Sequence, residues 1–263
     1  MRVDLHVHTS KYSDCGKATP EAMVESAIDA GLDAIVLAEH NYLWSREELA
    51  ELQRCYPTIR IFGGIEVSIS WEEHIVVLGV PDASLFYPLM PPAELIKAVL
   101  EHQGAAILAH PFRWSTEVRP DILAAGFDAI EVYSTSIREY MQQPIAELQR
   151  RCNLPLVATS DGHHTGALGL YAIELERAAK DERDLAALVR EGKFRLWTNP
   201  EAIAELNADI DARLLRLAQY RDWQVPAALK QVGLSRNLTY AVEQDMSIRF
   251  PEGRGLSESN GCL

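Results

Sequence analysis

The chain has 263 residues, and 38 acidic against 25 basic side chains give it a formal charge of −13. That balance argues against non-specific nucleic-acid binding through a broad basic surface, while leaving room for a nucleotide or short oligonucleotide in a local site. With 48% apolar and 24% charged residues the composition is that of a folded domain, and no apolar run is long enough to span a bilayer. The N-terminal residues lack an apolar secretory core, and Cys15, Cys55, Cys152 and Cys262 are scattered, so a cytoplasmic protein with reduced thiols is expected.

Val3–His8 alternates and reads as a strand. Thr19-Pro20-Glu21 opens a helix, with Thr as cap and Pro at the first helical position, and Gly31 closes it. Ala34–Ala38 is a buried strand. Ser45-Arg46-Glu47-Glu48 has the spacing of a capping box and starts a second helix. Ile59–Glu66 and Ile75–Val80 are strands joined by a short polar turn. A helix from Pro92 to Gln103 follows, then strands Ala105–Ala109 and Asp128–Tyr133, a helix near Ile137–Arg151 and a strand Leu154–Thr159. Tyr171–Leu175 and Phe194–Trp197 read as further strands around a helix from Asp181 to Glu191. Asn199-Pro200-Glu201 opens a charged helix predicted to reach Tyr220, with small helical pieces and a fraying tail beyond it. Basic residues are too few around Val225–Val242 to favour a helix-turn-helix over a helical appendage. Mostly βα repeats with one ββ step predict a parallel-rich α/β domain over 1–198 and a mostly helical extension over 199–263.

His6-Val7-His8 lies at the end of the first strand, where residues two apart point to one face. Other histidines repeat this placement: His40 after the second strand, His110 after the strand Ala105–Ala109, and His163 after Leu154–Thr159. Glu66 ends the third strand, Asp161 follows the last clear one, and an antiparallel hairpin would return His74 to the same rim. Six imidazoles placed alike are costly to bury unless they bind something that wants them neutral, which points to metal. His102, late in a helix, is expected in solvent, and His164 is expected to point away from its neighbour His163.

The strings Asp4-Leu5-His6-Val7-His8-Thr9, Ala38-Glu39-His40-Asn41, Gly64-Ile65-Glu66, Ala109-His110-Pro111 and Ser160-Asp161-Gly162-His163 resemble, in order, the motifs of the PHP (polymerase and histidinol phosphatase) superfamily of metal-dependent phosphoesterases. The resemblance implies a distorted barrel of seven strands with two or three divalent ions at the strands' C-terminal ends. Carried over by position, His6, His8 and Asp161 hold one ion. Glu66 bridges to a second, completed by His74 and His110, and Asp14, His40 and His163 hold a third. Cys15, where glycine is common in such motifs, is not assigned. Imidazole–carboxylate sets suit Mn, Fe or Zn. The implied activity is phosphoester hydrolysis by water activated at the metals, with Glu66 and Asp161 as ligands, His163 or the third ion serving the leaving oxygen, and Arg113 forking onto the phosphate. Lys11 and Arg138 are weaker phosphate contacts of the same kind, and Asn41 and Tyr133 line the mouth.

A glutamate rather than a modified lysine at the bridging position separates this pattern from the amidohydrolases, which also open on His-x-His. Too few residues lie between His74 and His110 for a large inserted cap. The expected substrate is a small organic phosphate or a nucleotide. The alternatives are 5′-3′ exonuclease or oligonucleotide phosphodiesterase activity, histidinol-phosphate phosphatase activity, and a non-catalytic metal-binding module. Oligomeric state is left open.

Overall fold

The computed structural model describes residues 1–206 and 208, apart from 71, 72, 139 and 140. Its strands are β1 (Arg2–Val7), β2 (Ala34–His40), β3 (Arg60–Ser68), β4 (His74–Leu78), β5 (Ala105–Ala109), β6 (Ala129–Tyr133), β7 (Leu156–Ala158), β8 (Tyr171–Leu175) and β9 (Phe194–Thr198). The helices are α1 (Pro20–Asp29), α2 (Arg46–Cys55), α3 (Pro92–Glu101), α4 (Pro120–Ala125), α5 (Gln142–Cys152) and α6 (Glu182–Arg190). Residues 200–206 are also helical. The remainder of the helical extension expected over 199–263 lies outside the described residues, save 208.

All nine strands form one sheet, ordered β7-β6-β5-β4-β3-β2-β1-β8-β9. β1, β2 and β3 run parallel, as do β5, β6 and β7, while β4 is antiparallel to both of its neighbours. A parallel bridge between Val7 and Gly162 brings the chain after β7 back onto β1, so β1–β7 form a nearly closed barrel. The sheet does not stop at the seven strands expected. β8 pairs antiparallel with β1, and β9 with β8, so the sheet carries nine strands rather than seven. The competing rule is edge satisfaction: a barrel closed by one bridge leaves most of the outer edge of β1 to be paired.

Local chemistry explains the element ends. Thr19 caps α1 by accepting from the Ala22 amide. Ser45 and Glu48 form a reciprocal capping box on α2. Near Ile137–Arg151 the helix begins later, at Gln142. The short helix α4, which opens at Pro120, was not anticipated.

β1–β7 are buried along most of their length, so their sequences are continuous apolar runs broken by a few acids. Fully buried Leu5, Ile35, Phe62, Ile65 and Ile107 each contribute roughly 1.5–3 kcal/mol through lost apolar exposure. The register then sets the rim. His40 pairs with Glu66 across β2 and β3, Ser68 with His74 across the β3–β4 hairpin, and His74 with Ala109, the residue before His110.

Candidate metal centre

Every predicted histidine of the rim arrives at one place. The Nε2 atoms of His6 and His8 are 3.0 Å apart. Around them lie Glu66 Oε2, at 3.4 and 3.2 Å, and Asp161 Oδ1, at 3.5 and 3.4 Å. His40 Nδ1 is 2.8 Å from Glu66 Oε2, and His74 Nδ1 and His110 Nε2 are 2.8 and 3.1 Å from Glu66 Oε1. His6, His8, Glu66, Asp161 and His110 are buried, whereas the side chains of His40 and His163 are 19% and 23% exposed and so mark the open side.

The tautomers follow from buried partners whose role no local sequence motif marks. Glu131 lies fully buried in β6. Its Oε1 is 2.8 Å from His6 Nδ1 and accepts from Thr159 Oγ1 at 2.7 Å, while Oε2 accepts from the His110 amide at 2.7 Å. The His6 proton is thereby placed on Nδ1, leaving a lone pair on Nε2. Buried Glu39 does the same for His8 through a relay. Ser13 Oγ donates to Glu39 Oε2 at 2.6 Å, so its lone pairs receive His8 Nδ1–H at 3.2 Å and the His40 amide at 3.1 Å. Glu39 also accepts from the Thr9 amide and hydroxyl and from Trp44 Nε1. Two lone pairs facing each other at 3.0 Å repel unless a cation lies between them. Glu66 Oε2 and Asp161 Oδ1 are buried oxygens that receive no hydrogen bond among the described residues, so they too await a positive charge. The donors thus fit divalent ions.

Electrostatics agree. Burial would raise Glu66, but the imidazoles of His40, His74 and His6 hold it well below the usual carboxylate value. Burial also opposes Asp161, which His6 and His163 hold low. Burial would lower His8, yet Asp161 and Glu66 lift it to about 9. Burial keeps His163 well below its ordinary value, and its Nδ1–H donates to the Asp161 carbonyl at 2.8 Å. The pocket therefore attracts positive charge while its outer histidine stays neutral. Burial also lifts Asp4 to about 7 against the hydrogen bond from the Ser160 amide, which ties the Asp161 loop to β1.

Three donor groups result, each with one atom per residue within 4.8 Å of the others: His6, His8 and Asp161; His40, Glu66 and His74; and His8, Cys15, His40 and His163. Asp14, expected as the third-site carboxylate, is in none of them and is exposed, whereas the neighbouring Cys15 is in the third. A loop has no period from which to read which of two adjacent side chains faces the histidines.

Arg113 is buried rather than lying on a surface loop. Its guanidinium is 3.7 Å from Asp161 Oδ2 and stacks over Trp114 at 4.3 Å. Ser136 donates to Asp161 Oδ2. Lys11 is drawn away to Glu48 at 2.9 Å. Asn41 braces the β2–β3 loops by exchanging hydrogen bonds with Ser68, and Tyr133 stacks on Tyr171. His102 caps α3 away from the centre, and His164 is buried. Cys15, Cys55 and Cys152 form no disulfide. Asp161 and His110 adopt positive φ of 48° and 27°, strain of roughly 1–3 kcal/mol each that clusters at the donors.

The profile of the family described as PHP domain matches residues 4–194. The chain is 29% identical over 91 residues to the 5′-3′ exoribonuclease Rnm of Escherichia coli (strain K12), a stretch covering 33% of this chain and 29% of that one. Its fold is similar, with a TM-score of 0.60 and 17% identity, to a two-domain protein from Bacteroides vulgatus ATCC 8482 containing a predicted PHP-like metal-dependent phosphoesterase; 76% of this chain and 65% of that one are covered. It is also similar, with a TM-score of 0.53 and 13% identity, to the lesion-specific endonuclease PfuEndoQ of Pyrococcus furiosus, over 74% and 57% of the two chains. The chain thus spans under a third of its curated relative, and the structural likenesses speak to fold alone.

Proposed function

The chain belongs to the PHP domain family, and on that premise we propose that it is a metal-dependent phosphoesterase acting on a small organic phosphate or a nucleotide. The observation that carries this reading is the pair of imidazole Nε2 atoms 3.0 Å apart, flanked by two buried carboxylate oxygens that receive no hydrogen bond among the described residues. His6, His8 and Asp161 would hold one ion, and Glu66, with a carboxylate oxygen toward each side, would bridge to a second held with His74 and His110. A third would lie on the open side with His40 and His163. Mn, Fe or Zn suits this imidazole–carboxylate set. Such ions stabilise charge on a transferring phosphoryl group and acidify water.

The chain's own residues do the rest. Glu131 and the Glu39–Ser13 relay hold the inner imidazoles in one tautomer and orientation. Arg113, stiffened by Trp114, places a positive group beside Asp161 to receive a phosphoryl oxygen. His163 donates its Nδ1–H to the Asp161 carbonyl and stays neutral, which leaves the Nε2 lone pair to hold an ion and gives the imidazole no spare proton for the leaving oxygen.

A second reading, 5′-3′ exonuclease or oligonucleotide phosphodiesterase activity, is favoured by the similarity to a protein named as an exoribonuclease. At the rim, Tyr12 stacks on Tyr42 with centroids 3.7 Å apart, and Lys11 lies over Tyr12 and Trp44. Trp44 is buried, so an unpaired base would meet only the partly exposed Tyr12–Tyr42 pair. No observation favours histidinol phosphate or a non-catalytic role.

The test is phosphate or nucleotide release from sugar phosphates, 5′-mononucleotides and 5′-phosphorylated oligoribonucleotides, with Mn or Zn added. The expected outcome is turnover on at least one class, lost in Asp161→Ala. Full metal loading without cleavage of any phosphoester would overturn the proposal.

A further inference from the structure

We propose that Cys15, and not Asp14, is the chain's third-site ligand, so that the outermost metal position is a thiolate–imidazole site selective for zinc, unlike the all-imidazole–carboxylate positions beneath it. This rests on the metal-centre reading above and concerns one position within it. Donor atoms of Cys15, His8, His40 and His163 lie within 4.8 Å of one another. Buried His8 stacks on both His40 and His163, with centroids 4.6 and 4.5 Å apart, so the imidazoles around the thiol are packed as one body.

The loop holds this choice of residue. Ser13 is pinned inward by its hydrogen bonds to Glu39 and His8, and its amide donates to the Thr9 carbonyl at 3.2 Å. Gly16 then donates to the Ser13 carbonyl at 2.9 Å, and the Lys17 amide donates to the His163 carbonyl at 2.7 Å. A Cβ at Gly16 would sit 2.3 Å from the Thr9 carbonyl, so only glycine lets the chain turn here. With both flanks fixed, Asp14 faces solvent and Cys15 faces the histidines. Exchanging the two would need the loop to slip by one residue and break these contacts.

The donor set then decides the metal. A thiolate with imidazoles forms tetrahedral sites that select zinc over harder ions such as manganese. His8 also stands in the innermost group. With His8 serving there, Cys15, His40 and His163 leave one coordination position open on the exposed side, the arrangement of a catalytic rather than a structural zinc.

The experiment uses the full chain stripped of metal and reloaded with Co(II), followed by absorbance and elemental analysis. The expected result is a thiolate-to-cobalt charge-transfer band in the near ultraviolet, present in the wild type and in Asp14→Asn and absent in Cys15→Ser. Cys15→Asp should still take up metal but lose the band and its preference for zinc over manganese. That variant, together with Cys15→Ser, separates ligation from misfolding. Full cobalt uptake without the band, or loss of the outer ion in Asp14→Asn and not in Cys15→Ser, would overturn the inference while leaving the metal centre intact. A wild type that takes up no metal would overturn both.

Discussion

A buried carboxylate in the middle of an apolar strand survives only if donors surround it, and Glu131 gathers three from three elements. It touches no solvent and lies behind His6, so its part is to fix the imidazole rather than to meet substrate. Glu131→Gln keeps the shape and removes the charge. Affinity for the inner metal should then fall by about 10- to 100-fold, the usual cost of losing such a partner. Competition with a chelating indicator dye checks this, and an unchanged affinity would contradict the role. Glu131 was signalled by an acid inside Ala-Ile-Glu-Val-Tyr, but its partner is 125 residues away in the chain and no local pattern names it. His6 and His8 were readable because alternation along a strand is local. The orientations of Asp14 and Cys15 were not, because their loop is set by contacts to Glu39 and His163 far away in the chain.

At the scale of elements, α2 shows how far a local code reaches. Ser-x-x-Glu was legible as a capping box, and the box forms. What the code could not show is that Glu48 also receives Tyr12 and Lys11 from the loop after β1, so the helix start anchors the loop beside the metal centre. Hydrogen bonds from Tyr12 first, then Lys11 and Ser45, lower the Glu48 carboxyl from 4.5 to about 2. Its folded value lies below its unfolded one, so the stabilisation is complete above about pH 4.5 and is lost as pH falls toward 2. Chemical denaturation across that window should show a steeper loss of stability for the wild type than for Glu48→Gln. Parallel curves would contradict the anchor. The ninth strand has a similar lesson. Phe194–Trp197 read as a strand, but its place beyond β8 depends on which edge the barrel leaves open, and that is decided only by closure at Val7 and Gly162.

For the whole molecule, net charge alone makes an acidic chain of −13 ill suited to anionic substrates. The charge is resolved by position. Glu66, Asp161, Glu131 and Glu39 are all buried around one set of imidazoles, where they draw in cations instead of repelling phosphate from the surface. Among the described residues no helix is long and apolar enough to cross a membrane. The βα order and the ββ step predicted a parallel-rich α/β domain because each rests on short-range pattern, while the barrel itself was implied by the family resemblance. The short α4 escaped notice because its six residues are too few to show a period. Arg113, expected to be accessible to phosphate, is buried against Asp161 and Trp114. Arg113→Lys should therefore weaken turnover, read as a fall in kcat/KM, while leaving metal content unchanged. Loss of metal in that variant would show instead that the arginine holds Asp161 in place.

Residues from the ends of β1, β2, β3, β4, β5 and β7 converge on one site, and on the proposed reading they form one multinuclear metal centre. Elemental analysis after loading with Mn or Zn and removal of excess ion tests it most directly, on the wild type, His8→Ala and Asp161→Ala. At least two ions per folded chain are predicted for the wild type and fewer in each variant. A wild type that retains none, or variants that retain as many as the wild type, would contradict it.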